Sequence, residues 1–155
     1  MSPVIHNPGQ GELHAAGIAE INIKATGEDT NGTFFCSENT LGPGFEGPPL
    51  HVHDKLIDMF YVLEGTLTVR IGTETRELEP GSFACFLPGD VHTFSNPSKD
   101  PVRFLNFNTP GGWEHYMRDL AKAAMEGPLT PDRIAPVAER YDVRVVDQGS
   151  GTSGL

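Results

Sequence analysis

PPLHVHDKLIDMFYVLEG, residues 48–65, is the stretch whose reading decides the fold. It sets His51 and His53 two positions apart at the start of a run that reads as a β-strand. Successive side chains of a strand point to opposite faces, so both imidazoles project one way and Val52 the other. Asp58 follows, and the β-rich run 59–63 closes on the turn Glu64-Gly65. Further on, LPGDVHTFSN at residues 87–96 presents His92. Two or three histidines with a carboxylate suit a divalent first-row metal: Fe, Ni, Mn, Co or Zn.

Outward from that stretch the pattern is a β-meander. Residues 66–71 alternate cleanly, with Leu67, Val69 and Ile71 on one face and Thr66, Thr68 and Arg70 on the other. Turns at Gly72-Thr73 and at residues 79–82 bracket a return strand at 74–78, and SFACFL at 82–87 is apolar nearly throughout. Strands follow at 93–96 and 102–108. Upstream, residues 18–24 and 33–38 read as strands joined by TGEDTNG, whose Asn-Gly is a hairpin signal. LGPGFEGPP at 41–49 is an extended lead-in. Short strands with turns at this spacing predict an all-β jelly roll or small barrel.

The last third changes period. Trp113, Tyr116, Met117, Leu120 and Ala124 recur at three- and four-residue spacing, which predicts a helix over 112–126 stopped by Gly127-Pro128. Thr130 as N-cap and Pro131 at the first helical position open a second helix running to about Tyr141. A short strand is expected within 142–146. The organisation reads as an arm at 1–17, a β-barrel at 18–110, a helical extension at 111–146 packed on the flank or mouth of the barrel, and a flexible tail at 147–155.

Bulk composition sets limits. At 155 residues the prior is one domain, and 18 Gly with 13 Pro suit many tight turns. A net charge of −10 argues against nucleic acid or an anionic membrane as partner. The N-terminal residues carry neither a basic segment nor a long apolar run, and Cys36 and Cys85 read as small buried thiols without zinc spacing. The cytoplasm is the expected compartment.

The two histidine clusters carry a family resemblance. The first resembles cupin motif 1, G-x5-H-x-H-x(3,4)-E-x6-G, at His51, His53, Asp58 and Gly65. The second resembles cupin motif 2, G-x5-P-x-G-x2-H-x3-N, at Gly81, Gly89, His92 and Asn96. Asp58 stands where the pattern has Glu, Gly47 is out of register as the leading glycine, and Pro88 sits one place late. The resemblance is to single-domain cupins of the quercetin dioxygenase-like kind. It implies a jelly-roll barrel and one divalent transition metal at His51, His53, His92 and Asp58. Asp58, one methylene short, is read either as a direct ligand or as a residue that orients a histidine from behind, with a further role as acceptor of a substrate proton.

Resemblance and strand alternation together place Phe60, Phe83, Cys85, Phe94 and Phe107 on the wall of a substrate pocket, against ordinary barrel core as the alternative. Such a wall suits an aromatic or apolar small molecule. Trp113 and Tyr116 are either a lid or simple packing, His115 is expected to be exposed, and Asn96 is read as a turn residue. The activity implied by the resemblance is a metal-dependent dioxygenase acting on an enol, phenol or β-dicarbonyl. The alternatives are a non-oxidative isomerase, cyclase or lyase, and a ligand-binding cupin without turnover. A homodimer is expected by the same resemblance.

Overall fold

A computed structural model describes residues 2–146 of the chain, so the tail expected at 147–155 lies outside the described residues. In chain order the elements are β1 (Glu12–Ala16), β2 (Ala19–Ala25), β3 (Phe35–Leu41), β4 (His51–Val52), β5 (Ile57–Glu64), β6 (Leu67–Ile71), β7 (Glu74–Leu78), β8 (Phe83–Phe86), β9 (His92–Ser95), β10 (Val102–Thr109), α1 (Trp113–Glu126), α2 (Pro131–Ala138) and β11 (Arg144–Val145). They form two antiparallel sheets, ordered β1-β2-β3-β10-β5-β8 and β11-β4-β9-β6-β7.

Side-chain alternation decides what lies between the sheets. Along β10, Val102, Phe104, Asn106 and Asn108 are buried while their neighbours are partly exposed. On β5 the inward set is Asp58, Phe60 and Val62, and on β6 it is Leu67 and Val69. Phe60, Val62, Leu67, Val69, Phe86 and Phe104 meet in one apolar cluster, each large side chain contributing about 1.5–3 kcal/mol by leaving water. Phe60 is its hub, with Phe86, Phe94 and Phe104 packed edge-on against its ring at 5.3–5.7 Å.

The motif glycines occupy backbone that other residues avoid. Gly65 has φ 74°, and a Cβ there would run into the carbonyl of Pro101. Gly47 has φ 84°, and its Cβ would collide with the carbonyl of Phe94 on β9, so glycine lets the lead-in cross that strand closely.

Several expectations are corrected. The arm at 1–17 contains β1, which pairs with β2 across the turn at Gly17. Its polar sequence hides it, because it is a half-exposed edge strand held by a fork from Arg118 of α1 to Glu12 (2.7 and 2.8 Å). The second helix ends at Ala138 rather than near Tyr141, and Thr130 takes the N-cap position without a side-chain cap bond. Cys85 is exposed, not buried, whereas Cys36 is buried and its thiol is pushed up to about 11 by that burial. α1 packs Trp113 and Met117 against Ala16, Ile21, Ile23 and Phe35, covering one end of the first sheet's inner face. Among the described residues no helix is long and apolar enough to cross a membrane.

Candidate metal centre

Strand pairing assembles the histidines. His51 on β4 lies directly opposite His92 on β9, with ring centroids 4.5 Å apart. His53 falls just past the end of β4, and its ring sits 5.0 Å from His51 and 5.3 Å from His92. Asp58 enters from the opposite sheet. One ligand atom from each of His51, His53, Asp58 and His92 lies within 4.8 Å of all the others, and all four residues are buried. The chain segments that hold them are tied together: Gly89 N–H, in the turn before His92, donates to the His53 carbonyl at 2.9 Å.

Each imidazole is pinned from behind. His51 Nδ1 donates to the Pro49 carbonyl (2.8 Å), His92 Nδ1 to the Asp90 carbonyl (2.9 Å) and His53 Nδ1 to the Asp142 carbonyl (2.6 Å). A carbonyl oxygen only accepts, so in the neutral rings Nδ1 carries the proton and Nε2 presents a lone pair. Phe86 stacks flat on His92 at 4.3 Å, and Trp113 meets His53 edge-on at 5.3 Å.

Asp58 faces these lone pairs rather than backing a ring. Its Oδ2 lies 3.1 Å from His92 Nε2 and 3.6 Å from His53 Nε2. Its Oδ1 accepts from Asn106 Nδ2 (2.7 Å) and Asn108 Nδ2 (2.6 Å). The orienting place behind each ring is taken by a backbone carbonyl, which leaves Asp58 in a ligand's position.

The electrostatics agree. Burial alone would raise the Asp58 carboxyl, but the imidazoles of His53 and His92 hold it well below the usual carboxylate range. Burial and the neighbouring His92 depress His51 to about 4, so it is neutral near pH 7. His53 is raised: burial opposes its charge, and Asp58 with the Asp142 carbonyl outweighs the burial.

The donor set passes a direct test for a metal. His53 Nε2 is buried and has no hydrogen-bond partner. With Nδ1 carrying the ring proton, the Nε2 lone pairs of His92 and His53 face the Asp58 carboxylate, and a cation between them relieves that repulsion. Nitrogen donors with one carboxylate oxygen fit a borderline divalent ion.

The aromatic pocket wall does not form. Phe83 is 60% exposed, Cys85 is exposed, and Phe107 lies on the outer face of its sheet. They alternate with the inward residues Ala84, Phe86, Asn106 and Asn108, so the expected parity was off by one on β8 and β10. Phe107 instead borders a cavity of about 790 Å³ under the N-terminal segment, lined also by His6, Phe34, Cys36 and Glu38. Phe60 is sealed in the core, and Phe94 packs against it. What faces inward beside Asp58 is polar: Asn106 and Asn108, both buried, with Ser37 beyond them on β3 opposite Asn106.

Sequence reasoning also missed Asn106, Asn108 and Asp142. The asparagines could have been found by fixing the parity of β10 on Phe104. Asp142 gives its backbone carbonyl to His53 and its carboxylate to the N–H groups of Asp54, Lys55 and Leu56 (2.7–2.9 Å). A backbone contact of that kind across 89 residues leaves no mark in sequence. His115 is exposed. Asn96 is fully buried and organises its loop through bonds to the Leu41, Gly42 and Asp100 carbonyls and to Ser98.

Two facing antiparallel sheets enclose a three-histidine, one-carboxylate cluster whose donor set is consistent with a metal. Residues 38–108 match the family model described as a cupin domain. The chain is similar to quercetin 2,3-dioxygenase of Bacillus subtilis (strain 168), 26% identical over 152 residues that cover 93% of this chain and 44% of that protein. It therefore spans less than half of that relative's length. Among solved structures it is similar in fold to an RmlC-like cupin from Shewanella frigidimarina (TM-score 0.62, 18% identity, covering 74% of this chain and 96% of that one). It is also similar to the polyketide cyclase RemF from Streptomyces resistomycificus (TM-score 0.59, 22% identity, covering 70% and 79%).

Proposed function

We propose that this protein is a metal-dependent cupin enzyme of dioxygenase type acting on a small molecule with an acidic oxygen, such as an enol, phenol or β-dicarbonyl. The observation that carries the reading is the convergence of three Nδ1-pinned imidazoles and one clamped carboxylate within 4.8 Å. The similarity to a quercetin 2,3-dioxygenase along nearly the whole chain supports the oxidative form of it. Fold likeness does not separate activities, since the solved neighbours include a polyketide cyclase.

His51, His53, His92 and Asp58 would hold a divalent ion of Fe, Ni, Mn or Co, with Zn the non-redox alternative. When bound, such an ion supplies Lewis acidity toward a substrate oxygen and, if redox-active, a path for electrons to dioxygen. The chain's own residues do the rest. Phe86 and Trp113 exclude water from two of the three rings. Asp58, held ionised, would balance part of the ion's charge. The buried amides of Asn106 and Asn108 beside Asp58 favour an oxygen-bearing edge over a wholly apolar one.

The test is oxygen consumption by metal-loaded protein against a panel of flavonols, β-diketones and catechols. Uptake of dioxygen in proportion to substrate loss, abolished in His51→Ala, is the expected result. Turnover without oxygen uptake would make this a non-oxidative isomerase, cyclase or lyase. Saturable binding with no product would make it a binding protein.

A further inference from the structure

Asp58 presents only one of its two oxygens to the histidines. Asn108 lies directly across from it in the β10–β5 pairing, and Asn106 is two residues away on the same face of β10. Both amides donate Nδ2–H to Oδ1, at 2.6 and 2.7 Å, and both residues are at least nine-tenths buried. Their orientations are fixed. Asn106 Nδ2 also donates to the Met59 carbonyl at 3.0 Å, and a carbonyl cannot donate in return. Turning Asn108 over would set its own oxygen against Oδ1 at the same short distance.

A carboxylate oxygen offers two lone pairs for hydrogen bonds, and here two N–H groups take both. Oδ1 is thereby withdrawn and Oδ2 alone remains. We propose that Asn106 and Asn108 are positioning residues that restrict Asp58 to one-oxygen binding of a divalent cation and so keep room at that ion for a chelating substrate with two oxygen donors. This rests on the metal-site reading above. Three imidazole nitrogens and one carboxylate oxygen fill four places, and an ion of octahedral preference then has two left. A carboxylate bound through both oxygens would take one of those two.

The experiment uses the full chain loaded with Co2+, whose visible absorption reports coordination number, with maltol as a two-oxygen probe and azide as a one-atom probe. In Asn108→Leu the affinity for maltol should fall by about 10-fold, the usual scale for losing a ligand's outer partner, while that for azide changes less than about 3-fold and the visible spectrum shifts as a carboxylate oxygen replaces a water at the ion. Asn108→Ala, which likewise lacks the donor, should behave alike. Equal changes for the two probes, or unchanged spectra in both variants, would overturn the proposal. Wild-type protein gives a check free of folding effects. The metal-induced infrared difference spectrum should show the wide splitting of carboxylate stretches typical of one-oxygen binding, and a narrow splitting would refute the clamp. Failure of wild type to bind Co2+ at all would refute the metal site itself, a distinct outcome.

Discussion

His92 Nε2 lies 3.1 Å from Asp58 Oδ2, and in the neutral ring both atoms are acceptors. The reason is local: the ring proton of neutral His92 sits on Nδ1, which donates to the Asp90 carbonyl. Such a contact persists only with a second proton on the ring or a cation beside it. The same logic applies to His53, and the two options, proton and metal, compete for one place.

The apoprotein should show that competition in its pH dependence. His53 is raised above its ordinary 6.5, so its pairing with Asp58 contributes stability fully below about 6.5 that is lost as pH rises through the higher folded value. Asp58 is lowered from 3.8, so its share is present above 3.8 and lost as pH falls further. His51, depressed to about 4, works the other way and costs stability as pH falls from 6.5 to 4. In Asp58→Asn nothing offsets the burial of His53, so His53 joins His51 in costing stability as pH falls below 6.5. That variant should lose stability on acidification from 6.5 to 4 more steeply than wild type, and its His53 should titrate lower by NMR. Parallel Tm curves for the two proteins would contradict this.

Phe60→Ala should cost about 3–5 kcal/mol, because it empties the hub of the aromatic core. Phe83→Ala, on the outer face, should stay within about 0.5 kcal/mol. Urea denaturation of both tests the parity of β5 and β8 directly, and equal losses would mean the inner and outer faces have been exchanged.

That parity marks where the sequence stops being legible. The i, i+2 histidines, the glycine turns and the clean alternation of 66–71 could be read because each encodes a local backbone requirement. β8 could not: FACF at 83–86 is apolar on both faces, so composition cannot say which side is in, and only pairing with β5 decides. β1 was hidden by its polar edge character, and Asp142 by acting through a backbone carbonyl. The four-residue cluster was readable because i, i+2 histidines share one strand face and the two motifs resemble a known family's, whereas the asparagine clamp depended on the register of β10.

Asp142→Ala removes an anionic acceptor from the N–H groups of 54–56 and loosens the support behind His53. The loss of stability should be about 1–2 kcal/mol, with metal affinity down about 10-fold or more. Hydrogen exchange at 54–56 together with chelator competition checks both. Unchanged exchange at those amides would show that the contact contributes nothing.

Arg118→Leu breaks the fork that joins α1 to β1. The Arg118 hydrogen bond lowers Glu12 to about 2, so the pair stabilises above the unfolded value of 4.5 and is lost as pH falls toward 2. Both side chains are more than a third exposed, so the effect is small, about 0.2–1 kcal/mol or a few degrees in Tm near neutral pH. The difference between variant and wild type should vanish near pH 2, and a difference that persists there would assign the stabilisation to packing instead.

The central claim is that His51, His53, His92 and Asp58 bind one divalent transition-metal ion. It is tested most directly by inductively coupled plasma mass spectrometry on untagged wild type beside His51→Ala and His92→Ala, each confirmed folded by circular dichroism. The account predicts close to one equivalent of a first-row metal in wild type and its loss in both variants. Metal content that stays far below one equivalent after reconstitution, or that is the same in wild type and both variants, would contradict it.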